Sequence, residues 1–189
     1  MRVIAGRLKG RRIGSPAGDG VRPTYDRVRE SLFDILGPRV EGAAVLDLFA
    51  GTGALGIESL SRGAARVTFV EKDRRVAAAL RDTLAALGVA GSAVVVTADA
   101  VSGVHGGLPG RPFGLVFVDP PYQSGLAAAA VGALAAPGTL APGALVVVEH
   151  ASGDGPAESG AFAQTRRERY GSTELTFLTV RDAQGTEVS

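Results

Sequence analysis

The chain has 189 residues, 46% of them hydrophobic, enough for one domain with a sizeable core and too few for two ordinary ones. It contains no cysteine and only two histidines, His105 and His150, which excludes disulfides and thiolate metal sites and leaves no basis for a zinc site. Net charge is +1 but unevenly spread: residues 1–39 hold nine Arg or Lys against four Asp or Glu, about +5, leaving about −4 on the remainder.

A reducing, cytoplasmic setting fits this composition, and early charges interrupt any apolar run of signal-peptide length. The uncharged stretch 125–148 contains Pro137 and Pro142 among many Ala and Gly, which predicts a buried helix, a loop and a buried strand rather than a membrane span.

At the N-terminus, short apolar pieces separated by Gly6, Gly10 and Gly14, with interleaved arginines, predict a small basic β-hairpin arm over residues 1–20. Asp19-Gly20 reads as a turn. A helix capped near Thr24 then runs to Gly37-Pro38, with Tyr25, Val28, Leu32, Phe33, Ile35 and Leu36 as its apolar positions. Strands and helices alternate from there: strand 43–49, helix 54–61, strand 66–70, helix 73–87, strands 93–97 and 113–118, helix 126–134, strand 144–148. Apolar strands separated by helices predict a mainly parallel sheet in a doubly wound α/β fold. Residues 151–160 read as a loop, and 162–170 and 173–180 as a hairpin turning at Gly171-Ser172. The main domain is thus expected over 21–182, with a frayed tail over 183–189.

The first motif with chemical content is Asp47-Leu48-Phe49-Ala50-Gly51-Thr52-Gly53-Ala54-Leu55-Gly56, a strand end, glycine turn and helix start, followed at twenty residues from Gly51 by Glu71. The glycines allow close backbone approach to a nucleotide-like ligand, and Glu71 can accept ribose hydroxyls. A carboxylate at Asp47 would repel a pyrophosphate but suits S-adenosylmethionine, which carries an ammonium and a sulfonium instead. Asp99 follows the third strand and reads either as a contact to an adenine amino group or as a helix N-cap.

The second motif is Asp119-Pro120-Pro121-Tyr122 after strand 113–118. An amino group on an aromatic base is a poor nucleophile because its lone pair is delocalised into the ring. A catalyst must therefore hold its N–H groups on acceptors, and the Asp119 carboxylate and Pro120 carbonyl supply two, while proline nitrogens add no competing donor. Tyr122 offers a face for stacking a base. No metal is required for such a transfer. The third feature is the cluster Arg2, Arg7, Lys9, Arg11, Arg12, Arg22, Arg27 and Arg29, suited to nucleic-acid phosphates next to a base-modifying site and otherwise readable as a solvated charged surface. Arg166, Arg167 and Arg169 form a smaller group, equally readable as substrate contact or plain surface.

The order Arg2-Val3-Ile4-Ala5-Gly6, Arg22-Pro23-Thr24, Asp26-Arg27-Val28-Arg29-Glu30-Ser31-Leu32-Phe33, the glycine motif and Asp119-Pro120-Pro121-Tyr122 resembles the bacterial RsmD-type 16S rRNA guanine 2-amino methyltransferases over nearly the whole chain. The resemblance implies a Rossmann-like, seven-stranded sheet with an antiparallel last strand, an S-adenosylmethionine site, and a small ribosomal subunit as partner. The cofactor residues expected are Thr24, Asp47, Phe49, Ala50, Gly51, Thr52, Gly53, Glu71, Lys72, Asp99 and Ala100. Asp119 to Tyr122 would hold the guanine, and Arg7, Lys9, Arg11, Arg12, Arg22, Arg27 and Arg29 the RNA. A monomer without metal is expected. A DNA adenine or cytosine amino methyltransferase shares the acceptor logic but usually needs a target-recognition region. A dehydrogenase would need a proton donor absent from any plausible place, and a non-catalytic RNA adaptor would predict a broken motif.

Overall fold

The computed structural model describes residues 1–14, 23–121, 125–155 and 160–181, without the side chains of residues 23 and 24. The Asp19-Gly20 turn, Arg22, Tyr122 and the tail after Arg181 lie outside the described residues, as does the Thr24 side chain.

Among the described residues five α-helices, α1 (Pro23–Leu36), α2 (Ala54–Ser61), α3 (Arg74–Ala86), α4 (Ala100–His105) and α5 (Leu126–Leu134), surround seven strands. The strands are β1 (Ala44–Leu48), β2 (Arg66–Glu71), β3 (Ala93–Thr97), β4 (Phe113–Val118), β5 (Leu140–Ala151), β6 (Phe162–Tyr170) and β7 (Thr173–Val180). They form one sheet in the order β3-β2-β1-β4-β5-β7-β6. The first five are parallel, and β7 inserts antiparallel between β5 and β6. This is the doubly wound fold with an antiparallel terminal hairpin that the strand pattern predicts.

Alternation along each strand divides the core. Val45, Phe69, Phe117, Val147 and Phe177 pack with α1, α2 and α3 on one face, whereas Leu46, Leu48, Val70, Val116, Val118 and Val148 pack with α4 and α5 on the other. Strand order reverses between β1 and β4, which stay paired to Leu48 and Val118, so the connections beyond them leave towards opposite faces and open a crevice there, the place where doubly wound sheets bind ligands.

Two elements depart from the sequence expectation. α4 has no counterpart among the expected elements, although Asp99 reads as a possible N-cap there; Asp99 Oδ1 accepts from the Ser102 amide at 3.0 Å and caps it. β5 runs well past 144–148 in both directions. Pro142 and Gly143 hid its start, where the pairing with β4 shifts register, the kind of irregularity that tolerates proline in a sheet. Its polar end, Glu149 and His150, pairs with Leu175 and Glu174 of β7.

Over its described residues the N-terminal arm is a small antiparallel hairpin, the Val3 amide donating to the Arg11 carbonyl and the Ile13 amide to the Met1 carbonyl, each at 3.0 Å. A single antiparallel bridge joins Arg2 to Arg12, and a 3-10 turn spans Gly6–Leu8 between them. What fixes it is α2. The Glu58 carboxylate, 0% exposed, accepts from the amides of Ile4 at 2.8 Å and Ala5 at 2.9 Å and from Arg62 Nε at 2.9 Å. Three donors compensate the cost of burying that charge. Gly6, at φ +77°, lies so close to α2 that a Cβ there would sit 2.0 Å from the Ser61 carbonyl oxygen.

Arg166, Arg167 and Arg169 lie on β6, the sheet's edge strand. Arg166 pairs with Glu168 at 2.8 Å and Arg167 with Glu174 at 2.8 Å. Charge along an exposed edge prevents strand addition by another chain, which accounts for this cluster without a substrate.

Candidate active site

A cavity of about 380 Å³ opens in the crevice at the carboxyl ends of β1, β2, β3, β4 and β5. Its wall joins residues from both sequence motifs: Phe49, Glu71, Lys72, Asp99 and Ala100 on one side, Asp119, Pro120 and Pro121 on the other. Tyr25, Val70, Ala98, Leu126 and Glu149 complete it.

The turn after β1 is held in a conformation few residues adopt. Phe49 has φ +62°, in the left-handed region that is costly for a bulky side chain, and Gly51 and Gly53 follow at +52° and +76°. Strain of this kind is kept where surroundings over-determine it. Here the Ala50 amide donates to the Val70 carbonyl at 2.9 Å, and the Gly53 amide to the Ala50 carbonyl at 2.7 Å. Ala50, Gly51, Thr52 and Gly53 are not themselves among the cavity-lining residues.

Glu71 buttresses the same turn. Its Oε2 accepts from the Gly51 amide at 2.9 Å and its Oε1 from the Asp73 amide at 2.8 Å. Each oxygen retains a lone pair for a ligand hydroxyl. Gly51 N–H, which a bound pyrophosphate would need, is already committed to a carboxylate, so the geometry disfavours a dinucleotide. Asp99 serves as N-cap of α4 and also lines the cavity, so its two sequence readings are compatible. Backbone hydrogen bonding at that cap, chiefly from Ser102, holds its carboxyl below the usual carboxylate range.

Asp47 lies elsewhere than expected. It is 2% exposed beneath the turn, with Oδ2 accepting from the Gly56 amide at 2.9 Å, and it does not line the cavity. Burial pushes its pKa up to about 7, against a lowering effect of that amide. A folded pKa raised above the unfolded value means the native state holds the proton over a window where the unfolded chain has lost it. Stability contributed by protonated Asp47 is thus present near pH 4 and lost as pH rises towards 7. Asp47→Asn is expected to match the parent in thermal melts at pH 4 and to exceed it by a margin that widens to pH 8, on the order of 4 kcal/mol at most. A constant difference across that range would refute the assignment.

Asp119 stands at the end of β4, and Glu149 one residue beyond the Val118–Val148 pair on neighbouring β5. Desolvation, then the nearby charges of Glu149 and Asp47, hold the Asp119 carboxyl well above the usual carboxylate range. Tyr25, reaching in from α1, has its phenol raised likewise, by desolvation first and then by Asp119, Glu149 and Asp47. Sequence reasoning assigned neither Tyr25 nor Glu149 to the site. Tyr25 was legible only as an apolar helix position, but Glu149 bears the signal that marked Asp47, Glu71 and Asp119, an acid at or just after the end of an apolar strand.

The protein-family model described as Conserved hypothetical protein 95 matches residues 1–179. Ribosomal RNA small subunit methyltransferase D of Escherichia coli K12 is 42% identical over 185 residues, 98% of this chain and 92% of that one. The chain belongs to the RsmD-type methyltransferase family. The Haemophilus influenzae protein of the same name as that Escherichia coli relative is 39% identical over 150 residues, 79% of this chain and 78% of that one. The solved structure of yhhF from Escherichia coli superposes with a TM-score of 0.83 at 40% identity, covering 95% of this chain and 97% of the other.

Within this RsmD-type frame the basic residues divide. Arg7, Lys9, Arg11, Arg12 and Arg27 are exposed. Arg7 Nε donates to the Leu60 carbonyl at 3.3 Å and Arg11 Nη2 to the Ala86 carbonyl at 3.0 Å, tying the arm's cations to α2 and α3. Arg29 does not belong with them. It is 2% exposed, and its guanidinium donates to the Arg2 carbonyl at 2.6 Å and pairs with Asp26 at 3.1 Å. Charge pattern alone could not distinguish a cation that clamps the arm onto α1 from one that faces RNA.

Among the described residues, no group of three or more His, Cys, Asp or Glu side chains is placed to hold a metal ion, and no helix is long and apolar enough to cross a membrane. His150 is buried between the Ala151 carbonyl and the Thr176 hydroxyl, at 2.8 Å from each, as a core-edge histidine.

Proposed function

We propose that this protein methylates the exocyclic 2-amino group of a guanine in 16S rRNA of the small ribosomal subunit, with S-adenosylmethionine as donor. The observation that carries this reading is the meeting of the glycine turn and the Asp119-Pro120-Pro121 segment in one cavity.

The donor set fits that cofactor. Glu71 offers acceptors for ribose hydroxyls, Asp99 an acceptor for an adenine amino group, and Phe49, Val70, Ala98 and Ala100 an apolar wall. Among the described lining residues carboxylates predominate over the single cation Lys72, which suits a ligand carrying positive rather than phosphate charge. When bound, the cofactor supplies an electrophilic methyl group.

The rest falls to the chain's own residues. Asp119 and the Pro120 carbonyl accept the two N–H groups of the target amine, which fixes the nitrogen and turns its lone pair towards the donor side of the cavity. Positioning supplies most of the rate because little charge develops on the base. As the nitrogen takes on a fourth bond, one of its protons leaves towards Asp119, whose carboxyl is held above the usual carboxylate range by desolvation and then by Glu149 and Asp47, which makes it a better proton acceptor than an ordinary carboxylate. Tyr25 lines the cavity with an aromatic ring, and the base-stacking role is assigned to Tyr122 on its place in the Asp119-Pro120-Pro121-Tyr122 motif.

Arg7, Lys9, Arg11, Arg12, Arg22 and Arg27 bind phosphates of the RNA backbone. Replacing Arg11 and Arg12 together by Ala is expected to weaken binding to small subunits and reduce the slope of log affinity against log salt by about 0.7–0.9 for each phosphate no longer neutralised. An unchanged slope would remove the arm from the RNA interface. The reaction itself is tested by transfer of labelled methyl to subunits from cells lacking the enzyme, protein-free 16S rRNA and duplex DNA. Label in a guanine 2-amino group of subunits or RNA supports the reading, and label only in DNA overturns it.

A further inference from the structure

Asp119 and Pro120 account for the amino group, but an amino group does not identify a base. Guanine differs from adenine at the neighbouring ring position: N1 of guanine bears a hydrogen, whereas N1 of adenine is a bare acceptor. A site built for guanine therefore needs an acceptor next to the one that holds the amine. We propose that Glu149 is that acceptor, its carboxylate taking the N1–H of the target guanine while Asp119 takes an N–H of the 2-amino group.

The placement rests on strand geometry. β4 and β5 are parallel and in register at Val118–Val148, so Asp119 and Glu149 leave adjacent strands at equivalent positions, about 4.8 Å apart along the hydrogen-bonding direction. Both follow the parity of Phe117 and Val147, whose side chains face α1, and Tyr25 of α1 closes the same space. Glu149 is 8% exposed yet lines the cavity, so it is a buried acid turned to the site rather than to bulk water. Two carboxylates this close repel one another, and a guanine edge offering hydrogens to both relieves that repulsion on binding. An adenine would set a lone pair against the Glu149 carboxylate, the kind of mismatch by which a polar site rejects a near-identical ligand most strongly.

This inference rests on the guanine reading above, and its test separates the two. 16S rRNA fragments would carry guanine or 2-aminopurine at the position the wild-type enzyme labels; 2-aminopurine keeps the 2-amino group but has no hydrogen on N1. Wild-type enzyme should prefer guanine by roughly 10- to 100-fold in kcat/KM. Glu149→Gln, whose amide can donate to a bare N1, should reduce or reverse that preference, and Glu149→Asp should retain it. Because the readout is a ratio within one variant, partial loss of folded protein cancels. The same guanine preference in Glu149→Gln as in wild type would overturn the role of Glu149. Failure of wild type to label any guanine would overturn the functional reading instead.

Discussion

Asp119→Ala is expected to lower methyl transfer by roughly 10²- to 10⁴-fold while leaving cofactor affinity within a small factor of the parent's. The two properties separate because Asp119 lies across the cavity from Glu71 and Asp99 and hydrogen-bonds nothing in the turn that carries Phe49. A loss of cofactor affinity comparable to the loss of rate would contradict the assignment. Stability should move the other way. The folded-state pKa of Asp119 is raised, so the native state loses stability as pH climbs from the ordinary carboxylate range through that raised value. Asp119→Asn removes this loss with little change of shape. Its melting temperature should exceed the parent's at pH 8 and converge with it near pH 4, marking an acid kept for chemistry at the expense of the fold.

Gly56→Ala should be the most damaging single-methyl change near the site. In an exposed helix the substitution would gain about 1 kcal/mol from propensity. Here the added Cβ would lie 2.2 Å from Phe69 Cε1 and 2.9 Å from Val67 Cγ1, both on buried strand β2. The ring cannot swing away in a packed core, so α2 must lift, and overpacking of this kind typically costs about 1–3 kcal/mol. Lifting α2 also draws the Gly56 amide from Asp47 and disturbs the turn at Gly53. We expect a melting temperature lower by roughly 5–10 °C and weakened binding of S-adenosylmethionine by calorimetry. A variant that is stabilised, as propensity alone would have it, would show that this helix is not wedged against the sheet.

The parallel strands and their order of alternation were legible because each is an apolar run with its helix beside it, and the two motifs that meet in the cavity because acids follow those runs. Elements governed by context were harder to read. α4 is too short for periodicity to register and depends on one cap from Asp99. β5 extends through a Pro-Gly pair that only a register shift accommodates, and its end was disguised by Glu149 and His150, polar residues that the β7 pairing keeps in the sheet. The same limitation applies to charge. Arg29 and Arg27 are two residues apart on one helix, yet one is sealed under the N-terminal arm and the other faces solvent, a distinction set by the position of Met1 and Arg2 in space.

The sheet order has a consequence for biosynthesis. β5 carries the run Ala144 to Val148 against β4, but its other edge is covered only by β7, the last strand, which ends at Val180. At about 5–20 residues per second, a ribosome leaves that edge bare for a few seconds after β5 is made. During that interval the nascent chain displays a row of unpaired peptide groups flanked by valines, a template for aggregation. Chains terminated before Thr173 would keep it permanently, so the charged C-terminal hairpin acts as the closing seal of the domain and sets when the newly made protein becomes safe in a crowded cell.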